Sequence, residues 1–249
     1  MIRRPSQGPR ALLLDLDDTI LDDSSLVSES WRAACAAHSI RFAPIEADAV
    51  VSAIRTTSKW FWADPDRHRE GRLQLDAARR SVVNMALREL GIDDSHLADC
   101  IGDSYSHHRD AGMQALPEAI ETVRWLRESG RRLALLTNGA GAAQRRKISR
   151  FDITDLFDVI LVEGELGFGK PDERVYRQAL DALDARASEA WMVGDNLEWD
   201  VRAPQQLGMR GVWIDARGGG LPPGSAAIPD YIVRSLAGIR PLLQAGAAL

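Results

Sequence analysis

The run Ala11-Leu12-Leu13-Leu14-Asp15-Leu16-Asp17-Asp18-Thr19-Ile20 decides how the rest of the chain is read. Its four apolar residues predict a short buried strand, and the chain turns acidic as soon as that strand ends. Asp15 and Asp17 are two residues apart, so on an extended backbone their side chains share a face. Two carboxylates at the carboxyl end of a buried strand are costly unless they are partnered or used. That end of a strand is where open α/β sheets bind ligands. Taken alone, the run reads equally well as a polar loop, because Asp and Thr are ordinary turn residues. The partners downstream decide between the two.

A chain of 249 residues is long enough for one large domain or two modest ones with a substantial core. A net charge of -5 argues against a broad basic surface for nucleic acid, yet leaves room for a small basic pocket. Cys35 and Cys100 stand too far apart for a metal-ligand spacing and are expected as reduced, half-buried helical residues. The basic opening Met1-Ile2-Arg3-Arg4-Pro5 is followed by too brief an apolar run for a signal peptide, and no stretch has the length of a membrane span. The expectation is a cytoplasmic protein, monomer or homodimer, with neither nucleic acid nor membrane as partner.

Outward from the opening strand, residues from about Ser24 to Asp110 read as wholly helical. Leu75, Ala78, Val82, Met85, Ala86 and Leu90 recur at helical spacing, with Gly91 as the stop. Leu97, Ile101, Tyr105 and His108 continue the pattern, and Trp31, Ala34, Cys35 and His38 mark an earlier helix capped by Asp23 or Ser24. From Pro117 the texture alternates. Strands are predicted at Leu133–Thr137, Val159–Val162, Trp191–Gly194, Gly211–Ile214 and Tyr231–Val233. Helices lie between them: Ala119–Ser129, about Ala142–Arg150, one opened by Pro171 and running to Leu183, and one over Leu197–Leu207 broken or kinked at Pro204. Such alternation implies a doubly wound, Rossmann-like parallel sheet with helices on both faces. The expected architecture is an α/β core of residues 1–22 and 111–249 with an all-helical cap of residues 23–110. Because the insert leaves directly after the acidic strand end, it is expected as a lid.

Four strand ends then supply functional groups: Asp15 and Asp17; Thr137, Asn138 and Gly139; Gly169-Lys170-Pro171-Asp172; and Gly194-Asp195, with Asp200 five residues on. In a parallel sheet they converge on one edge. Aspartates, one lysine and a hydroxyl beside amide donors suit phosphoryl transfer, and such carboxylates can hold Mg²⁺. The competing readings are a plain surface lysine for Lys170 and a helix-face charge for Asp200. Gly139-Ala140-Gly141 faintly suggests a dinucleotide fingerprint, but Gln144 stands where the third glycine belongs.

These motifs, in this order, resemble those of the haloacid dehalogenase superfamily and specifically its phosphatase branch; the likeness runs from about Ala11 to Gly211 and includes Gln144-Arg145-Arg146-Lys147-Ile148. The resemblance implies that Asp15 attacks phosphorus and forms an aspartyl-phosphate, while Asp17 serves as general acid and then general base. It further implies that Thr137, with the amides of Asn138 and Gly139, holds the phosphoryl oxygens and that Lys170 bridges nucleophile and phosphate. Asp15, the Asp17 carbonyl and Asp195 are the implied Mg²⁺ ligands, joined by Asp200 as ligand or outer carboxylate. Dehalogenase members lack an acid at the position of Asp17, since an expelled halide needs no proton. A phosphatase acting on a small phosphate ester is therefore expected, with a phosphomutase or 2-haloacid dehalogenase as alternatives and a non-catalytic binding module as a remote one. In the insert, Trp60, Trp62 and Arg72 are the candidates for substrate choice; the bland reading is a small aromatic core and solvated arginines. His107-His108 reads as a polar helix end, and Gly112 as a hinge.

Overall fold

The protein is described from a computed structural model over residues 8–245, so the opening Met1 to Pro5 lies outside the described residues. In chain order come β1 (Ala11–Leu14), β2 (Leu21–Asp22), α1 (Val27–Ala37), α2 (Ala47–Ala63), α3 (Pro65–Leu73), α4 (Leu75–Glu89), α5 (Ser95–Gly112) and β3 (Gln114–Ala115). There follow α6 (Ala119–Glu128), β4 (Arg132–Thr137), α7 (Gly141–Arg150), β5 (Val159–Val162), α8 (Glu163–Leu166), α9 (Glu173–Ala182) and β6 (Ala190–Gly194). A π-helical turn (Leu197–Arg202) runs into α10 (Ala203–Gln206), and β7 (Arg210–Ile214), β8 (Tyr231–Val233) and α11 (Ile239–Ala245) complete the chain. The residues divide into two compact units, Met1–Asp22 with Gln114–Leu249, and Asp23–Met113.

The first unit is built on a six-stranded parallel sheet in the order β5-β4-β1-β6-β7-β8. The strands β1, β4 and β5 build outward in one direction, and β6 then returns to the other side of β1. The strand order thus reverses between β1 and β6, which is where open α/β sheets open a crevice at their carboxyl ends. All four residues of β1 are completely buried, as expected of a central strand covered on both faces. The chain pairs Leu12 with Leu133 on one side and with Trp191 on the other. Two short strands escaped the sequence pattern. Leu21 pairs with Ala115 and Asp22 with Gln114, an antiparallel pair too brief to show a period of two.

Several local expectations are corrected. Pro171 does not open a helix: α9 starts at Glu173, and Asp172 caps it by accepting the Arg174 amide at 3.0 Å. The winding changes between Arg202 and Ala203, before Pro204, which sits in the first turn of α10 where its missing N–H costs nothing. Gly91 and Gly130 behave as read, with φ of 78° just past α4 and α6.

In the second unit, α1, α2, α4 and α5 enclose a core of Trp31, Ile54, Val83, Leu87, Ile101 and Tyr105 among others. The Trp31 and Tyr105 rings stack with centroids 3.6 Å apart. The buried stripe of α4 is Ala78, Val82, Val83, Ala86 and Leu87, rotated from the stripe read in the sequence, so Met85 and Leu90 are only partly covered. On α5 the inward position after Tyr105 belongs to Arg109, and His108 is exposed. Arg109 pays for its burial with an ion pair to Asp23 at 3.0 Å, so Asp23 is not the cap of α1. That helix follows Leu26 with no side-chain cap. Cys35 is fully buried, which pushes its thiol up to about 12, and Cys100 is half-buried; both are free.

The carboxyl half of the sheet depends on glycines that let the π-helical turn lie close. A Cβ on Gly211 of β7 would stand 2.8 Å from the Val201 backbone. Gly211→Ala is therefore expected to lower stability by about 2 kcal/mol, because backbone cannot rotate away as a side-chain tip can. Urea unfolding of the two proteins measures this.

Candidate active site

The carboxyl ends of β1 and β6 place an aspartate each against one buried ammonium. The Lys170 Nζ donates to Asp15 Oδ1 and to Asp200 Oδ1, both at 2.7 Å. Lys170 is 2% exposed and Asp200 0%, so neither is a surface lysine nor a helix-face charge. Burial works against the ammonium, yet the two carboxylates outweigh it and raise the Lys170 pKa. It stays protonated.

Each partner is held in place by backbone. The Asp15 amide donates to the Val193 carbonyl at 3.0 Å, continuing the ladder between β1 and β6. Asp200 reaches the strand end because Gly194 has no side chain: a Cβ there would stand 2.2 Å from Asp200 Oδ2. That same oxygen accepts the Asn196 amide at 3.0 Å. Asn138, after β4, grips the lysine loop from both sides. Its Nδ2 donates to the Lys170 carbonyl at 2.7 Å, and its Oδ1 accepts the Lys170 amide at 2.8 Å.

Asp15, Asp195 and Asp200 each offer an oxygen within 4.8 Å of the others. Three carboxylates face one lysine, so the cluster carries an excess of negative charge. Burial raises Asp15 well above the usual carboxylate range, and although Lys170 opposes the shift, Asp200 and Asp195 add to it. Burial, then Asp200 and Asp18, raise Asp195 to about 7. Hard oxygen donors converging on a point with surplus negative charge fit Mg²⁺, which would lie among Asp15, Asp195 and Asp200.

Asp17 stands apart from this trio. Its Oδ1 accepts from Lys147 Nζ at 2.8 Å and its Oδ2 from Gln144 Nε2 at 2.9 Å, both from α7. The same Gln144 amide donates to Thr137 Oγ1 and so ties Asp17 to the end of β4. Gln144 and Lys147 were not among the residues read as site residues. Their spacing of three on a helix, which puts both on one face, is the signal that could have found them. The Gly139 amide, expected to hold a phosphoryl oxygen, instead donates to the buried Glu163 Oε2 at 3.0 Å. Glu163, directly after β5, also escaped the sequence reading; it stiffens the turn after β4.

In the helical unit the three specificity candidates part company. Trp60 is 54% exposed, with the Arg67 guanidinium 3.9 Å above its ring. Arg72 Nη1 meets His68 Nδ1 at 3.0 Å. Trp62 packs edge-on against Phe61 and His68 and also lines a cavity. His107 and His108 are both exposed. Among the described residues, no helix is long and apolar enough to cross a membrane.

The crowding has a pH signature. A carboxyl whose folded pKa lies above its unfolded value of 3.8 favours the folded state while it holds its proton. That contribution is complete below the unfolded value and is lost as pH rises through the folded one, about 7 for Asp195. In EDTA the unfolding midpoint is thus expected to fall from about pH 5 to about pH 8, and Asp195→Asn to flatten the slope. Calorimetry across that range checks it; an unsloped midpoint for the unaltered protein contradicts it.

The chain is similar to known proteins along most of its length. Residues 9–208 match the haloacid dehalogenase-like hydrolase family. The chain is 34% identical over 245 residues to a phosphoserine phosphatase of Thermus thermophilus, covering 91% of this chain and 96% of that one. A 2-haloacid dehalogenase from Pseudomonas syringae pv. Tomato superposes with a TM-score of 0.63 at 27% identity, over 95% of this chain and 98% of the other. A HAD-hydrolase from Bacillus subtilis bound to magnesium shares the fold, with a TM-score of 0.72 at 22% identity over 95% and 99% of the two chains. With its acidic strand ends gathered on a buried lysine and most of its length matched, the chain belongs to the haloacid dehalogenase-like hydrolase family.

Proposed function

We propose that the protein is a Mg²⁺-dependent phosphatase of small phosphate monoesters, working through an aspartyl-phosphate on Asp15. The observation that carries this reading is the second carboxylate, Asp17, held two residues from Asp15 by Lys147 and Gln144. Displacing an alkoxide from phosphorus calls for a proton donor at the leaving oxygen, whereas displacing a halide from carbon calls for none. The dehalogenase likeness supplies the same fold, but it leaves Asp17 without a task. The 34% identity to a phosphoserine phosphatase supports the phosphatase side.

On this reading Asp15 attacks phosphorus, the phosphorus–oxygen bond of the ester breaks, and Asp17 passes its proton to the departing oxygen. Asp17, now a carboxylate, takes a proton from the water that attacks the aspartyl-phosphate; phosphate leaves and both aspartates return to their starting forms. Lys170, at 2.7 Å from Asp15, orients the nucleophile and offsets charge on the transferring group. Thr137 Oγ1 and the Asn138 amide stand at the same strand end to hold phosphoryl oxygens. Asp15, Asp195 and Asp200 are the proposed Mg²⁺ ligands, joined by the Asp17 carbonyl; when bound, the cation supplies charge neutralisation and orientation.

The first test is phosphate release from p-nitrophenyl phosphate and a panel of metabolite esters. Turnover is expected to need Mg²⁺, to stop in EDTA, and to fall about a thousandfold or more in Asp15→Asn. Release of halide from a 2-haloacid without release of phosphate from any ester would establish the dehalogenase reading instead.

The second test separates the acid from the nucleophile. Asp17→Asn is expected to cost roughly a hundredfold or more on alkyl phosphates and far less on p-nitrophenyl phosphate, whose leaving group needs no proton. Lys147→Met is expected to show the same leaving-group bias at about tenfold, because it loosens Asp17. Equal losses on both ester types would deny Asp17 the role of general acid.

A further inference from the structure

Asp195 and Asp200 both come from the segment after β6, and that segment is wound in an unusual way. The Ala203 amide donates to the Glu198 carbonyl, five residues back, so Leu197–Arg202 forms the wider π-helical turn. The next carbonyl in that register belongs to Trp199, and the residue due to donate to it is Pro204, which has no N–H. Pro204 costs α10 nothing, but it withholds a donor from the turn before it. The Tyr176 hydroxyl, from α9, donates to the Trp199 carbonyl.

Tyr176 is fully buried and belongs to the apolar core that includes Leu136, Ala179 and Met192. Phenylalanine would fill nearly the same space, and a buried hydroxyl costs free energy unless it is hydrogen-bonded. The bond it makes joins α9, which follows directly on the Lys170 loop, to the turn that carries Asp200. The carbonyl it holds is half of the peptide between Trp199 and Asp200. The other half, the Asp200 amide, donates to the Asn196 carbonyl at 2.8 Å. Because a peptide is planar, fixing both ends fixes the plane from which the Asp200 side chain departs. Lys170 and the Asn196 amide hold the two Asp200 oxygens directly. A cation entering the trio competes with those donors for the same oxygens, whereas the Tyr176 bond acts on the backbone and stays intact.

We propose that Tyr176 is a positioning residue for the Mg²⁺ site, a role that rests on the Mg²⁺-dependent reading above. Its hydroxyl fixes the Trp199–Asp200 peptide and so keeps the Asp200 carboxylate within reach of Asp15 and Asp195. Tyr176 touches neither substrate nor metal. It acts through the backbone of the residue before Asp200.

The test titrates the metal-free full chain with Mg²⁺ in an isothermal calorimeter, with no substrate present. Tyr176→Phe keeps the buried ring and is expected to fold, which circular dichroism checks. Its Mg²⁺ dissociation constant is expected to rise about tenfold, the lower end of what losing an orienting group costs a metal site. In ester hydrolysis, saturating Mg²⁺ is expected to return the variant to within about twofold of the unaltered turnover. Tyr231→Phe is the control. Its hydroxyl accepts from Arg210 at 3.1 Å at the amino ends of β7 and β8, the edge of the sheet opposite the acidic cluster, and its Mg²⁺ affinity is expected to be unchanged. Equal Mg²⁺ affinity in Tyr176→Phe and the unaltered protein overturns the proposal and leaves the metal reading standing. So does equal weakening in Tyr231→Phe, or a deficit in turnover that saturating Mg²⁺ does not mend. An unaltered protein that binds no Mg²⁺ overturns both.

Discussion

A single ammonium buried between two carboxylates organises the carboxyl end of the sheet. Lys170 carries an unsolvated charge that is affordable only because Asp15 and Asp200 each approach to 2.7 Å. Removing Lys170 would leave these buried carboxylates uncompensated, a cost of several kcal/mol (about 3–5). Many of the surrounding features follow from keeping these three groups together. Asn138 clamps both backbone groups of Lys170, Gly169 leaves room for that clamp, and Gly194 leaves room for Asp200. The β1–β6 pairing sets Asp15 at the point where the strand order reverses.

The second constraint is the imbalance this leaves. One lysine pairs with two carboxylates but not three, and Asp195 completes a trio whose negative charge exceeds what Lys170 offsets. Burial alone would favour protonation, and that is the direction in which Asp15 and Asp195 are shifted. A hard divalent cation resolves the same imbalance without protons. Asp17 stands outside this cluster: its carboxylate is held by a different cation, Lys147, on a different element. Two neighbouring aspartates are thereby given separate electrostatic surroundings.

The helical unit follows a different logic. Its core rests on close aromatic and aliphatic packing, with Trp31 against Tyr105 and the apolar faces of α2, α4 and α5 behind them. Arg109, although buried, is matched by Asp23 and by the Tyr105 hydroxyl at 2.6 Å. The unmatched charge of this unit sits in its cavity, on Arg55 and Lys59.

The strands of the core were legible in the sequence because buried parallel strands are continuous apolar runs, and β1, β4, β6 and β7 are just that. The residues at their ends were legible because topology brings all carboxyl ends to one edge, whatever lies between them. Linear sequence could not place residues that act through contacts across the fold. Gln144 and Lys147 meet Asp17 from 127 and 130 positions away, and Glu163 takes the Gly139 amide that was expected to face a ligand. Helix phase was equally hidden: the sequence drew attention to Trp60 and Arg72, yet the first is half-exposed beneath Arg67 and the second meets His68. Arg55, Lys59 and Arg79, unremarkable as sequence, line the cavity instead. Apolar periodicity determines which residues are buried, because burial is a local demand of hydrophobicity. Which polar groups meet is decided only when helices pack, because a rotation of one residue, about 100°, turns a side chain from cavity to solvent.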